Sequence, residues 1–294
     1  MTHLIAGVET GGTKVVAAVA RADEPGRIGD EIEIPTTTPD EVGSRVRAFL
    51  GRHAGVQHVG IAAFGPVDLD PDSPAYGSVT STPKPGWSGA RLADLVDGRP
   101  HTIVSDVTGA ALGEHARGAL VGIPDSAYIT IGTGVGVGAL VDGRPFSDTA
   151  HPELGHIAMR RHPDDDFDGV CPFHGGDCVE GLAAGPAIAE RWGRPTRELG
   201  DVLDRAVAVE AWYLGQLVAT VTYAYRPQRI VIGGGATKIP GLLDAVREAS
   251  VREIRGALGV GHPSNQLDTY LVPPALGDRA GVIGALHLAA AHAG

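Results

Sequence analysis

The chain is short of positive charge, nearly without cysteine, and has no long apolar run. With 24 Lys and Arg against 35 Asp and Glu, its net charge is -11. That argues against a general nucleic-acid binder, which presents a basic face to phosphates. It does not argue against a bound nucleoside triphosphate, which a few backbone amides and one metal ion can hold. Met1-Thr2-His3 lacks the basic start of a signal peptide, and the apolar run after it is broken by Gly7 and Glu9. No apolar stretch approaches a membrane span. A cytoplasmic protein with no membrane partner is therefore expected. Its two cysteines, Cys171 and Cys178, read as a metal pair or free thiols rather than a disulfide.

Glycine is what the chain has in excess, at 43 of 294 residues. The glycines fall in short loops between apolar runs, a pattern of tight turns and close backbone approach to ligands. At 43% hydrophobic and 20% charged the composition is that of a globular protein, and the length suits two domains.

Two glycine loops share one setting. His3 to Val8 and Lys14 to Ala20 read as strands joined by Thr10-Gly11-Gly12-Thr13. Ala127 to Ile131 and Val137 to Val141 read as strands joined by Gly132-Thr133-Gly134-Val135-Gly136. Each hairpin opens a run of mixed β and α, a weak internal repeat that suggests two related α/β domains facing each other. Gly7 to Lys14 fails as a P-loop, because the lysine falls one position late and a strand follows. Gly132 to Gly138 fails as a dinucleotide fingerprint, because no helix follows it. Both fit a hairpin turn whose amides and threonine hydroxyls point at phosphate oxygens. Two ordinary hairpin turns are the simpler alternative.

A third loop, Gly233-Gly234-Gly235-Ala236, follows the strand Arg229 to Ile232 and precedes a helix from Pro240 to Arg255. The end of such a strand is a binding crevice in an open α/β sheet, or merely a close packing turn. Asp106 ends the strand Thr102 to Ser105 and precedes a helix from Thr108 to Gly118. It is placed for general-base work or, alternatively, as the helix N-cap. Further helices are expected over Asp40 to Leu50, Gly185 to Trp192, Asp201 to Tyr225 and Asp278 to Ala291.

His156-x14-Cys171-x2-His174-x3-Cys178 offers two thiolates and two imidazoles. That set suits tetrahedral zinc, and a full shell without water suits a structural site. Unligated thiols near chance histidines are the alternative in a chain with 12 His. His151 and His162 are spare candidates for the fourth ligand.

Together these residues resemble the ROK family of sugar kinases, and within it the bacterial fructokinases, over essentially the whole chain. Glu9-Thr-Gly-Gly-Thr-Lys14 is similar to the family's first phosphate loop and Gly132-Thr-Gly-Val-Gly-Val-Gly138 to its second. Ser105-Asp106 matches the segment with the catalytic aspartate, Glu153-Leu-Gly-His156 the E-x-G-H sugar motif, and Ile232-Gly-Gly-Gly-Ala236 the adenosine loop. Three features depart from the common pattern: a histidine stands among the cysteines, Glu9 replaces an aspartate, and Ser105 replaces an asparagine. Cys171-Pro-Phe-His174 and Pro83-Lys-Pro-Gly-Trp87 follow the fructokinase version.

The resemblance implies an α/β, actin-like ATPase (ribonuclease H-like) fold of two α/β domains with a cleft between them. The domains are expected at 1–117, completed by 278–294, and at 118–277. It further implies a homodimer, a structural Zn²⁺, and MgATP held by Glu9, Gly11, Gly12, Thr13, Lys14, Gly132, Thr133, Gly134, Gly136, Gly233, Gly234 and Gly235. Sugar would be bound by Ser105, Asp106, Glu153 and His156, with Asp106 as base and His156 shared with zinc. The implied reaction is transfer of phosphate from ATP to the 6-hydroxyl of D-fructose. Glucose, mannose or another hexose is the alternative substrate, and a non-catalytic sugar-binding regulator a more distant one. The DNA-binding segment that some relatives carry at the N-terminus is not expected, since the first strand begins at His3.

Overall fold

A computed structural model describes residues 3–82 and 84–293. Pro83 of the Pro83–Trp87 segment lies outside the described residues, as do Met1, Thr2 and Gly294 at the ends of the expected first domain. The strands are β1 (Leu4–Thr10), β2 (Lys14–Arg21), β3 (Ile28–Pro35), β4 (Val56–Ala63), β5 (His101–Ser105), β6 (Ser126–Ile131), β7 (Val135–Val141), β8 (Arg144–Pro145), β9 (Arg229–Gly233) and β10 (Leu271–Val272). The helices are α1 (Pro39–Gly51), α2 (Leu92–Leu95), α3 (Asp106–Arg117), α4 (Val179–Ala183), α5 (Gly185–Trp192), α6 (Leu203–Tyr225), α7 (Leu242–Ile254), α8 (Leu267–Tyr270) and α9 (Ala280–His292). None of the described helices is long and apolar enough to cross a membrane. Two compact units emerge: Met1–Pro124 with Gly138–His151 and Pro274–Gly294, and Asp125–Val137 with Pro152–Pro273.

The first unit holds a sheet in the order β3-β2-β1-β4-β5. Its first three strands are antiparallel neighbours, and β4 and β5 add in parallel. Both faces are covered, which is why its central strands read as continuous apolar runs. Ala6, Val8, Val15, Ala17 and Val19 join Val42, Val46, Phe49 and Leu50 of α1 in one core. Their alternate neighbours Ile5, Val16, Ala18 and Ala20 pack with Val282, Leu286 and Ala289 of α9 on the other side, as the period of two along a strand requires. Helix α1 starts where its caps dictate. The Thr38 hydroxyl accepts from the Glu41 amide at 3.4 Å, Pro39 follows, and Asp40 and Glu41 complement the dipole in the first turn.

The other sheet has the order β10-β9-β6-β7-β8. Counted from its own first strand, that is the order of the first sheet again, so the repeat seen in the glycine hairpins extends to strand topology. Strands β6, β9 and β10 are parallel neighbours. Helices α6 and α7 cover them, with Leu214, Leu217, Val218, Leu242 and Val246 in a core shared with Ile129, Ile230 and Ile232. The helix expected from Pro240 begins two residues later, because Gly241, left-handed at φ 77°, takes the cap position.

The second unit also buries charge. Arg191 of α5 donates through Nε and one terminal nitrogen to the two oxygens of Asp165, each at 3.1 Å, and through the other nitrogen to Glu210 of α6 at 2.7 Å. The Tyr213 hydroxyl donates to Asp165 at 2.6 Å. All three charged side chains are at most 5% exposed. Burial raises the affinity of Asp165 for a proton, but Tyr213 and Arg191 outweigh it and hold the carboxyl below the usual range. Glu210 goes the other way: burial pushes it up to about 8, against the pull of Arg191 and with the Asp165 charge adding to the push.

Candidate active site and metal centre

In the first unit, parallel pairing lines up three strand ends. Thr10 is opposite Ala63, and Ala63 is opposite Ser105, so the β1–β2 turn, the end of β4 and the start of α3 share one edge. This is where an open α/β sheet binds its ligands. Ser105 settles one ambiguity of the sequence. Its hydroxyl accepts from the Thr108 amide at 3.2 Å and donates to the Thr108 hydroxyl at 2.8 Å. Ser105 is thus the N-cap of α3, and the capping role weighed for Asp106 is already filled. The Asp106 carboxylate, half-buried, accepts from the neighbouring Val107 amide at 2.8 Å. The helix therefore begins at Asp106, two residues before Thr108.

Glu9, at the end of β1, is half-buried, with its Oε2 out of contact with solvent. Burial first, then the charge of Asp106, pushes its carboxyl up to about 7, and among the described residues its Oε2 has no hydrogen-bond partner. A buried carboxylate short of a partner beside another carboxylate is chemistry that a divalent cation relieves. The Lys14 ammonium is 2.8 Å from Glu33 on the neighbouring strand, with its partner well exposed.

In the second unit, the Gly132–Gly136 turn is gripped from three sides. Gly185, at the start of α5, donates its amide to the Gly132 carbonyl at 2.8 Å. Glu180 of α4 accepts from the Val135 amide at 3.0 Å. Gly155, the glycine of Glu153-Leu-Gly-His156, lies so close to β7 that a Cβ there would stand 2.0 Å from the Val135 carbonyl oxygen. The motif needs glycine because only a bare backbone fits. Thr130 of β6 pairs with Gly233 of β9, so the loop Gly233–Gly235 begins at the same sheet edge as the turn. Glu153 is exposed and its carbonyl accepts from the His156 amide at 3.0 Å.

His156, Cys171, His174 and Cys178 converge, with one ligand atom from each lying within 4.8 Å of the others. The Cys171 sulfur is 3.8 Å from His156 Nδ1 and 3.6 Å from His174 Nδ1, and the Cys178 sulfur is 3.9 Å from His156 Nδ1. Tetrahedral zinc with its usual bond lengths sets sulfur and nitrogen ligands about 3.5 Å apart, so the donor set fits in chemistry and spacing. His151 and His162 are not in the cluster; His162 Nδ1 accepts from the Asp164 amide at 3.2 Å. The Cys171–Cys178 loop is tight, the Gly175 amide donating to the Cys171 carbonyl at 2.8 Å, and the Cys178 sulfur caps α4 by accepting from the Gly181 amide at 3.4 Å.

Glu180 escaped the sequence reading. One of its oxygens holds Val135 of the glycine turn, and the other lies 3.9 Å from His156 Nε2, so it joins the metal loop to the turn. Its only signal in the sequence is a carboxylate two positions after the ligand Cys178.

The ROK family model matches residues 5–292. The fructokinase of Zymomonas mobilis subsp. mobilis is 42% identical over 294 residues, covering 97% of this chain and 95% of that protein. Among solved structures, a ROK hexokinase from Thermus thermophilus superposes with a TM-score of 0.78 at 28% identity, covering 98% of each chain. A ROK family glucokinase from Streptomyces griseus, solved in complex with glucose and AMPPNP, gives a TM-score of 0.74 at 27% identity over 97% of this chain and 99% of that one. The fold is the α/β, actin-like ATPase fold that the sequence leads one to expect. With its repeated sheet order, its glycine turns at the strand ends and a family match over almost its full length, the chain belongs to the ROK family.

Proposed function

We propose that this protein is a fructokinase that transfers the γ-phosphoryl group of MgATP to the 6-hydroxyl of D-fructose. The observation that carries the reading is the 42% identity to the Zymomonas mobilis fructokinase along almost the whole of both chains. The local geometry agrees, since Asp106 stands at a strand end with its helix already capped by another residue.

In this reading Asp106 accepts the proton of the 6-hydroxyl as that oxygen attacks the γ-phosphorus in line, and ADP leaves. Ser105, Glu153 and His156 bind the sugar. Amides of Gly12, Thr13, Gly134 and Gly136, with the Thr133 hydroxyl, hold phosphate oxygens, Gly11 and Gly132 close the two turns through their own amide bonds to the Lys14 and Gly134 carbonyls, and Gly233, Gly234 and Gly235 approach the adenosine. Lys14 adds positive potential to the first turn while paired with Glu33. Glu9 holds Mg²⁺ through water, as its buried, unpartnered oxygen suits. His156, Cys171, His174 and Cys178 hold Zn²⁺, which fixes the His156 ring and ties down its loop. Phosphoryl transfer asks the protein mainly for positioning and charge stabilisation. On the same resemblance the lobes run over 1–117 with 278–294 and over 118–277, and the protein is a cytoplasmic homodimer.

The test is kcat/KM for fructose, mannose and glucose with MgATP. Fructose is expected to lead. A clear preference for glucose or mannose would move the protein to another hexose kinase, and no turnover of any hexose would remove the reading.

A further inference from the structure

The chain has only three lysines, Lys14, Lys84 and Lys238, within its 24 Lys and Arg. All three are tied to glycine loops. Lys14 ends the first turn, and Lys238 closes the short helical turn Gly235–Lys238 after the third loop. Lys84 is distant in sequence, yet its Nζ donates to the carbonyl oxygen of Gly12 in the first turn. Its segment is firmly seated. Trp87 is buried, its indole N–H donates to the Thr37 carbonyl at 2.7 Å, and its ring meets Phe64 edge-on at 5.0 Å. The Lys84 ammonium stands 6.0 Å from the centre of the same Phe64 ring.

The turn itself is polarised. The Gly11 carbonyl accepts from the Thr36 hydroxyl at 2.8 Å, the Gly12 carbonyl from Lys84, the Thr13 carbonyl from the Thr36 amide at 3.0 Å, and the Lys14 carbonyl from the Gly11 amide at 2.8 Å. Among the described residues, the amides of Gly12 and Thr13 have no protein acceptor. Carbonyls drawn away and amides left over make a seat for an anion. Lys14 is held at 2.8 Å by Glu33. Lys84 has three N–H donors and is anchored at the turn through one of them.

We infer that Lys84 is a phosphate ligand of this turn, donating to oxygens of the transferred phosphoryl group beside the Gly12 and Thr13 amides. The inference rests on the reading of the protein as an ATP-dependent kinase. No bond to lysine forms; its ammonium stabilises charge on the phosphoryl oxygens during transfer.

Two measurements test it. In reductive methylation of the whole protein, read by mass spectrometry at each lysine, MgATP should slow labelling of Lys84 at least several-fold. Equal labelling with and without MgATP would overturn the inference. In turnover, Lys84→Met should lower kcat by roughly 10²–10³-fold with an unchanged melting temperature, and Lys84→Arg should recover part of the loss. A Lys84→Met enzyme within threefold of wild type in kcat would also overturn it. Should that variant not fold, the labelling result decides. Wild-type protein that phosphorylates no hexose but still protects Lys84 would defeat the kinase reading and leave the phosphate ligand standing.

Discussion

The Arg191 cluster makes the stability of the protein depend on pH in a way that one substitution should remove. One guanidinium faces two buried carboxylates. Were both ionised, the group would carry a net negative charge out of contact with water. Asp165 keeps the proton off with help from Tyr213 and Arg191, and Glu210 keeps it on, its pKa raised by burial from an ordinary 4.5 to about 8. The sign follows from linkage. Above pH 4.5 the unfolded chain releases a proton that the folded chain retains, so stability falls as pH rises, until Glu210 ionises in the folded state near pH 8. Each pH unit in that window costs about 1.4 kcal/mol. From pH 5.5 to 7.5 the loss is roughly 3 kcal/mol, or about 5 °C of melting temperature for a protein of this size. Glu210→Gln has no proton to lose and keeps an oxygen for Arg191. Melting temperatures of wild type and variant, taken at half-unit steps from pH 5 to 9, should converge at the acid end and separate toward pH 8 in the variant's favour. A difference between the two that stays constant across the range would refute the assignment of the retained proton to Glu210.

Three further outcomes are expected. Asp106→Asn should fold normally and bind sugar while losing roughly 10²–10⁴-fold in kcat; near wild-type turnover in a coupled assay would remove the base. Metal analysis should find one zinc per chain, and stripping it should lower both melting temperature and activity; a zinc-free protein as stable and active as the starting one would end the structural role. Gly284→Ala should destabilise by about 1–3 kcal/mol, because its Cβ would stand 1.8 Å from the Gly109 carbonyl oxygen where α9 crosses α3; an unchanged unfolding curve would show that the crossing yields.

Much of this structure is legible in the residue pattern, and what is not has physical reasons. The hairpins around Gly11–Gly12 and Gly132–Gly136 stand out because apolar strands meet bare turns. β10 does not, since two residues, Leu271 and Val272, carry no period. Ser105 and Asp106 are both good caps, and only backbone geometry tells which one serves α3. The fourth metal ligand stayed open among His151, His156 and His162 until distances could be compared. Glu180 and Lys84 were missed because each acts on backbone far away in sequence, Glu180 on the Val135 amide and Lys84 on the Gly12 carbonyl. Glu210 was passed over inside the apolar run of α6, where only the position of Arg191 gives it a reason.

The seat of α9 has a consequence for synthesis. One face of the first sheet, with Ile5, Val16, Ala18 and Ala20, is covered by Val282, Leu286 and Ala289, so these strands wait for a helix that follows them by more than 250 residues of chain. At about 5–20 residues per second, that face stays bare for roughly 15–55 s in each nascent chain. During that interval it is an apolar surface open to chaperones or to other unfinished chains, and the rate of translation, rather than the stability of the finished protein, sets how long the exposure lasts.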